Sequence, residues 1–288
     1  MIFRLLKLAA AATVAAALFF SGPASAQTLS REVVQQRSRN VDQLFNWYYA
    51  AIYGTGVYSI GEQTVGVIRA PFGYRLREAG AEQWGVRLTV PVTAALAEFD
   101  LDDFNLGNVH AAGLSVMPGV EVEIPLAPQW TLKPFINVGG GWEFERSGAA
   151  LIFSAGVATV YRKPLENGWL STLGGRLTFA GYEAGEEGSR LAALAGGGGL
   201  DIPIDMTIAG RQALFGMQLT GTIYFDKLKF LLPGSAEKEV LAEAEVAVTL
   251  GVRKPIEFYG VSFDRVGLGF RKGSDGLKGI RLVGSFPF

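Results

Sequence analysis

The feature that most constrains the fold is a two-residue alternation of apolar and polar side chains, which begins at about Val65. Residues two apart in a strand point to the same face of a sheet, so each alternating stretch predicts a strand with one apolar and one polar face. In the clearest stretch the apolar face carries Val240, Ala242, Ala244, Val246, Val248, Leu250 and Val252. The polar face carries Glu243, Glu245, Thr249, Gly251 and Arg253. The alternation predicts an all-β fold.

Turn signals rich in proline, glycine and asparagine separate the alternating stretches. Twelve strands fit between these signals. They are predicted at about residues 54–60, 64–77, 82–94, 109–124, 129–145, 149–162, 169–182, 189–204, 212–230, 240–253, 258–271 and 279–288. An even number of strands leaves both ends of the chain on one side of a barrel, as in single-chain bacterial barrels. Ten or fourteen strands are the alternatives.

The length of these stretches indicates a membrane as their surroundings. A tilted strand of about 9 to 11 residues crosses the hydrocarbon layer, and an open sheet edge in lipid would leave costly unpaired backbone groups. We therefore expect a transmembrane antiparallel up-and-down β-barrel over residues 54–288. A soluble β-sandwich is the alternative, but it does not need so many long ladders. Aromatic residues near strand ends fit the two interfacial girdles of a membrane barrel: Trp84, Trp130, Trp142, Trp169, Tyr182, Tyr259 and Phe270.

The first 26 residues predict a cleaved signal peptide. Arg4 and Lys7 precede an apolar run over residues 8–20, and a small-residue segment ends in Ala24-Ser25-Ala26. The apolar run is short for a spanning helix, which needs roughly 20 residues and is the alternative. The mature chain is then expected to begin at Gln27 and to reside in the outer membrane of a Gram-negative cell.

Residues 27–53 follow a different period. Val34, Val41, Tyr48 and Ile52 recur at spacings close to multiples of the helical repeat, and polar residues take other positions. This spacing predicts a short amphipathic helix. We expect it to plug the barrel or to rest on its periplasmic rim, with the membrane surface and an unstructured linker as alternatives.

Composition excludes several classes of function. The formal net charge is -1, so no excess of positive charge points to nucleic acid. The chain has no cysteine, which rules out thiolate chemistry and disulfides. A membrane location instead predicts outer-membrane lipids as partners. No cofactor is implied.

The polar face of the alternation predicts a charged lumen. Residues of both signs are expected to line it: Arg75, Arg87, Glu121, Glu123, Lys133, Glu143, Arg162, Arg176, Glu243, Glu245, Arg253 and Arg281. Opposite charges on neighbouring strands, such as Glu121 or Glu123 beside Lys133, would form cross-strand pairs. A barrel of about twelve strands lies between barrels of about eight strands, which side chains fill, and barrels of about sixteen strands, which leave an open channel. We therefore expect a narrow or closed pore.

The C-terminal residues alternate and end in Phe286-Pro287-Phe288. This ending resembles the C-terminal signal by which the barrel assembly machinery recognises its substrates, with Phe286 and Phe288 as the aromatic positions. Pro287 is unusual there, but a proline at the end of a ladder forfeits only one donor.

From about Thr64 the chain also resembles solitary autotransporter-type outer-membrane β-barrels. The strings that carry the resemblance are residues 118–125, 130–135 and 263–271 together with the aromatic terminus. The resemblance implies a twelve-stranded barrel with room for a helix in its lumen, no enzyme and no assigned substrate. Only about thirty residues separate the expected cleavage site from the barrel, so no passenger domain is expected.

Three sequence features are candidates for a catalytic, a calcium-binding or a phosphate-binding site. His110 and Ser115 could form a rim catalytic pair, but an odd separation puts them on opposite faces of a strand unless a bulge intervenes. Asp100, Asp102 and Asp103 lack a recognisable calcium pattern and fit a solvated anionic loop better. Residues 196–199 are four glycines in a strand, where packing against a bulky neighbour is expected rather than phosphate binding. No catalytic or metal-binding residue is predicted.

These expectations leave three functions open: a structural or assembly barrel of the envelope, a narrow channel for small polar solutes, and, remotely, a rim enzyme that acts on lipid. The first is favoured, and the protein is not expected to be an enzyme.

Overall fold

Thirteen strand segments form one antiparallel sheet in the computed structural model. The structure describes residues 53–60, 63–81, 83–97, 110–144, 148–185, 187–208, 210–230, 238–258 and 261–288. The strands are β1 (Gly56–Ile60), β2 (Gln63–Arg77), β3 (Gly85–Ala97), β4 (His110–Val116), β5 (Gly119–Ala127), β6 (Trp130–Glu143), β7 (Ala149–Pro164), β8 (Leu170–Ala184), β9 (Glu187–Ile208), β10 (Arg211–Phe230), β11 (Lys238–Phe258), β12 (Val261–Gly273) and β13 (Lys278–Val283).

Two of these segments, β4 and β5, are halves of a single wall strand. Both pair with β3 on one side and with β6 on the other. The interruption lies at Met117 and Pro118, and a proline has no backbone donor to give to the ladder. Counted as one strand, they bring the wall to twelve strands, the predicted number.

The sheet closes on itself where β1 meets β13. Gly56 of β1 lies opposite Arg281 of β13, and β1 also pairs with β2. The other neighbours are consecutive in the chain, so the barrel has the predicted up-and-down topology. We call the end that holds the β2–β3, β5–β6 and β7–β8 connections and the C-terminus the turn end, and the opposite end the loop end.

Large apolar side chains cover the outer face of the wall. On β12, Val266 and Phe270 are 64% and 63% exposed, and Phe225 of β10 is 61% exposed. The intervening residues of the wall strands face the lumen, where Glu143 of β6 and Glu245 of β11 are 4% exposed. This is the reverse of a water-soluble domain, in which the apolar face of a sheet is buried. The alternation therefore separates an apolar exterior from a polar interior.

Exposed aromatic side chains lie near both ends of the wall. Trp84 and Trp130 are exposed at the turn end, and Trp142 and Phe270 are exposed at the loop end. Tyr182 was predicted to belong to the same girdles, and this prediction is wrong: it is 2% exposed and faces the lumen. Its position in the inward phase of β8, shared with the buried Ala180, explains the difference.

The predicted strand bounds agree with the observed ones within a few residues except at the ends of β11 and β13. Strand β11 was expected to end at residue 253 and extends to Phe258. The last strand was expected to reach residue 288, but β13 ends at Val283 and Gly284–Phe288 leaves the ladder. The predicted signal peptide and amphipathic helix fall almost wholly on residues 1–52, outside the described residues. Among the residues that are described, no helix has the length and apolar character needed to cross a membrane.

Candidate functional site: the barrel lumen

The lumen is filled in layers, and the first layer from the loop end is apolar. It is one connected cluster of buried side chains contributed by strands around the circumference. Its members include Tyr58 of β1, Ile152 of β7, Tyr224 of β10 and Val240 of β11. These side chains come from strands around most of the circumference, so apolar groups line the bore near the loop end. The inward face is thus not uniformly polar.

A network of paired charges lies next to the apolar layer. The guanidinium group of Arg271 is 2.9 Å from Glu243 and 3.0 Å from Glu245, and Arg281 also donates to Glu245. All four side chains are at most 15% exposed. Arg271 further lies over the rings of Tyr53 and Tyr58, at 5.3 and 5.7 Å from their centroids. These pairs compensate charges that would otherwise be costly to bury.

A second ion pair lies nearer the turn end. Arg265 of β12 donates two hydrogen bonds to Asp201 of β9, at 2.9 and 3.2 Å, and is also held by Asp264. The strands β10 and β11 separate β9 from β12 in the sheet, so the pair reaches across part of the lumen. A bidentate pair between a guanidinium and a carboxylate fixes geometry as well as charge. It therefore ties two nonadjacent parts of the wall together.

The C-terminal residues also fill the lumen. Phe286 and Phe288 are 8% and 6% exposed and pack with Val160 of β7. Their rings occupy space left by glycines: a Cβ at Gly174 would lie 2.5 Å from Phe288, and one at Gly199 would lie 3.2 Å from Phe286. The expectation that residues 196–199 pack against a bulky neighbour is confirmed for Gly199. The predicted role of these two phenylalanines in assembly concerns an earlier stage and stays a prediction.

A cavity of about 240 Å³ remains beside the charged layer, against β2, β3, β5, β6, β7 and β8. Its charged lining side chains are Arg69, Arg87, Glu121 and Arg176. At roughly 30 Å³ per molecule, this volume equals that of about eight water molecules in the liquid. Part of the lumen is thus open enough to hold water or a small solute.

Ten of the twelve residues predicted to line the lumen fall into three groups. Glu143, Glu243, Glu245 and Arg281 are inside the barrel and largely buried. Arg87, Glu121 and Arg176 line the cavity. The β5–β6 register, which pairs Glu121 with Phe135 and Ile124 with Leu132, sets Glu123 across from Lys133 as expected.

The third group, Arg75, Arg162 and Arg253, is exposed at the turn end. Arg75 is 3.1 Å from Glu78, and Arg253 donates to the carbonyl oxygen of Gly168. Gly168 lies in the β7–β8 connection, so Arg253 links strand β11 to a distant connection of the turn end.

Several central residues were not in the predicted set: Arg69, Asp201, Arg265, Arg271, Tyr53 and Tyr58. The alternation of β12 contains the signal for two of them, because Arg265 and Arg271 share a face opposite Val266, Leu268 and Phe270. Asp201 lies near the end of the strand predicted at 189–204, whereas β9 continues to Ile208. Tyr53 and Tyr58 were missed since a tyrosine in an inward position reads as part of the apolar set.

His110 and Ser115 do not form a catalytic pair because they are too far apart along β4. A register shift between β3 and β4 places a bulge between Ala111 and Gly113, so alternation no longer separates His110 from Ser115. The distance between the two residues does separate them. Five residues along a strand span about 16 Å at 3.3 Å per residue, which is far beyond hydrogen-bond reach. Ser115 itself is 6% exposed inside the barrel.

No group of three or more His, Cys, Asp or Glu side chains that could hold a metal ion occurs within the part of the chain that the structure describes. Asp100, Asp102 and Asp103, weighed as a calcium site, lie outside that part. No protein-family model matches the chain, and no curated protein is significantly similar to it.

Proposed function

We propose that the chain is an integral β-barrel of the Gram-negative outer membrane, exported through its N-terminal signal peptide, and that its role in the envelope is structural. The observation that supports this most directly is that the wall has an apolar outer face and a polar inner face. Exposed apolar side chains cover all the long strands, and buried carboxylates and guanidinium groups face the lumen. Such a surface is stable against lipid and would expose large apolar patches to water.

The layers of the lumen support a structural role over a transport role. The apolar cluster lines the bore toward the loop end, and Phe286 and Phe288 occupy the bore further toward the turn end. One ion-pair network, that of Arg271, lies next to the apolar cluster, and the ion pair of Arg265 lies nearer the turn end. Each layer narrows the path for a hydrated solute, and a twelve-stranded barrel is small enough to be filled in this way.

The even strand number also supports an orientation. β1 runs away from the turn end and the chain after β13 runs toward it. We assign the turn end to the periplasm because single-chain bacterial barrels have short periplasmic turns and longer extracellular loops. The connection of residues 98–109 then lies outside the cell. Outer-membrane lipids are the expected partners of the wall.

Channel recordings test the structural role. We expect the refolded protein to give no discrete current steps in a planar bilayer, and a double variant Phe286→Ala, Phe288→Ala to stay silent as well, because the apolar layer remains. Folding of both proteins is checked by migration on an unheated gel and by cofractionation of the native chain with the outer membrane. A chain recovered in the aqueous fraction would refute the membrane location.

The second candidate function is a narrow channel for small polar solutes, which the cavity beside the charged layer favours. Discrete steps in the wild-type protein would support it and contradict the structural role. Steps that appear only in the double phenylalanine variant, or only after deletion of residues 27–53, would indicate a plugged channel and identify the plug.

We further propose a relationship to solitary autotransporter-type barrels and recognition of Phe286 and Phe288 by the barrel assembly machinery. The twelve-stranded closed wall supports the first proposal, since the resemblance implied that number. In the second, the terminal aromatic residues act before they enter the lumen. A Phe288→Ala variant should then reach the outer membrane in lower amount in cells and still fold into micelles in vitro.

A further inference from the structure

The lumen cavity has an unbalanced charge. Three arginines, Arg69, Arg87 and Arg176, and one glutamate, Glu121, are the charged side chains among its lining residues. Three positive charges and one negative charge leave a net charge of +2 on the wall of the cavity. Glu121, the only carboxylate of the lining, lies directly across the β3–β5 ladder from Arg87, and its charge also acts on Arg176.

Arg176 is the guanidinium group that depends most on a ligand. It stacks over the ring of Phe135, with its Cζ 5.1 Å from the ring centroid. Its Nε is buried and donates to no atom of the described residues. A buried donor without a partner is unfavourable, and more so when the group is charged. The contact with Phe135 holds the group in place but supplies no acceptor.

Arg87 lies against the same cavity because the neighbouring Gly73 has no side chain to occupy its place. It lies over Gly73 of the neighbouring strand β2, where a Cβ would be 2.7 Å from the Nε of Arg87. Any larger residue at position 73 would displace the guanidinium group. The sequence therefore leaves space for Arg87 to lie flat on the wall beside the cavity.

The neutral polar groups of the cavity are also arranged as donors. Thr89 donates from Oγ1 to Asn137 Oδ1 at 2.9 Å, and Asn137 Nδ2 donates to Ser154 Oγ at 3.3 Å. The chain of hydrogen bonds ends at the Ser154 hydroxyl, which accepts from Asn137 and keeps its own hydrogen to donate. Guanidinium groups are donors only. The cavity thus offers donors and, apart from Glu121, lacks charged acceptors.

We propose that this cavity binds a small organic oxyanion, a carboxylate attached to a compact apolar body. A carboxylate is an acceptor without donors, and it matches the planar fork of a guanidinium group. The apolar body follows from the remaining lining: Met117, Ile152 and Phe135 face the cavity beside the arginines. A volume of about 240 Å³ admits a small molecule rather than a lipid or a peptide. The site goes beyond the structural role proposed above and does not require a conducting lumen.

Fluorine NMR on the refolded full-length protein in micelles tests the site, with 4-fluorobenzoate as the probe. We expect saturable binding of 4-fluorobenzoate and none of 4-fluorobenzyl alcohol, its neutral analogue. Arg176→Gln should weaken binding at least about tenfold, since it removes a charged donor. Arg162→Gln is the matched control: it removes an arginine that is exposed at the turn end of β7 and does not line the cavity, and it should leave the affinity unchanged.

Ser154→Ala provides a second test that leaves the charge of the lumen unchanged, and it should weaken binding severalfold. Each variant is first shown to fold by its migration on an unheated gel. Equal affinity in the wild-type protein and Arg176→Gln, equal binding of the alcohol, or no saturable binding of 4-fluorobenzoate would each overturn the proposal. Binding of inorganic phosphate in place of 4-fluorobenzoate would overturn the assignment of an apolar body.

Discussion

Glu245 holds two guanidinium groups, those of Arg271 and Arg281, inside the lumen. At the residue scale this sharing is what permits both arginines to remain buried. An arginine cannot avoid a buried charge by losing its proton, because the guanidinium group stays protonated in proteins. The carboxylate of Glu245 is therefore required for the folded state to a degree that an exposed carboxylate is not.

Substitution Glu245→Gln should lower the free energy of unfolding by about 3–5 kcal/mol, the usual range when one partner of a buried ion pair is removed. Urea unfolding of the protein in lipid vesicles measures the change. Glu183→Gln is the matched control, since Glu183 is 3.9 Å from Arg190 and both side chains are more than half exposed. Its effect should stay within about 0.5 kcal/mol. Equal effects for both variants would contradict the role of Glu245.

The sequence allowed the face of each lumen residue to be predicted, but not its partner. Glu243, Glu245 and Arg281 were placed inside by the alternation of their own strands. That Arg271 lies between the two glutamates depends on the register of β11 against β12, which pairs Glu245 with Arg271. Register is a property of two strands together, so the pattern of one strand does not contain it.

At the scale of the element, β11 provides the sharpest test of what surrounds the wall. Val248 is at the middle of this strand and 48% exposed on the outer face. Val248→Lys should destabilise the protein in vesicles by about 2–4 kcal/mol if that face meets the centre of a bilayer. The same substitution on a water-exposed face would stay within about 0.5 kcal/mol. Urea unfolding distinguishes the two outcomes.

Leu126→Lys is the control for this substitution. Leu126 is also exposed, at the turn end of β5, where the interface is expected and the cost falls to about 0–1 kcal/mol. A small effect at both positions would mean that the outer face does not contact lipid. A large effect at Val248 alone would support both the membrane and the depth of β11 in it.

The elements themselves were largely predictable, and the exceptions have identifiable causes. Long ladders have strict alternation, which fixed most strands to within a few residues. The break at Met117 and Pro118 and the bulge near Ala112 are departures that leave the overall alternation intact, so neither was foreseen. The end of β13 at Val283 was missed because the alternation continues through Phe286 and Phe288, although these rings enter the lumen.

At the scale of the whole molecule, the barrel depends on one short seam. β1 has five residues and pairs with β13 over four of them. Gly56 lies in this seam, and a Cβ there would be 2.4 Å from the carbonyl oxygen of Ile280. Closure of the wall therefore requires the absence of a side chain at this position.

Gly56→Val should prevent or weaken closure and so reduce the fraction of protein that migrates as a folded barrel on an unheated gel. Gly80→Val is the matched control, because a Cβ at Gly80 has no atom within 4 Å. Its folded fraction should equal that of the wild-type protein. A normal folded fraction for Gly56→Val would show that the seam tolerates separation.

Closure was predictable from the length of the strands and the cost of an open edge in lipid, and the strand number was predictable from the turn signals between the alternating stretches. The layered filling of the lumen was not, although a narrow or closed pore was expected. Tyr58, Leu228 and Val240 meet inside the barrel only after strands far apart in sequence come together. Such contacts are determined by the closed wall, not by any local pattern.

The position of Phe288 has a practical consequence for handling the protein. Phe288 lies inside the lumen with its ring against Gly174. A segment fused after residue 288 must therefore share the bore or displace the C-terminal residues from it. An affinity tag is better inserted at Gly80, in an exposed turn where added residues have open space.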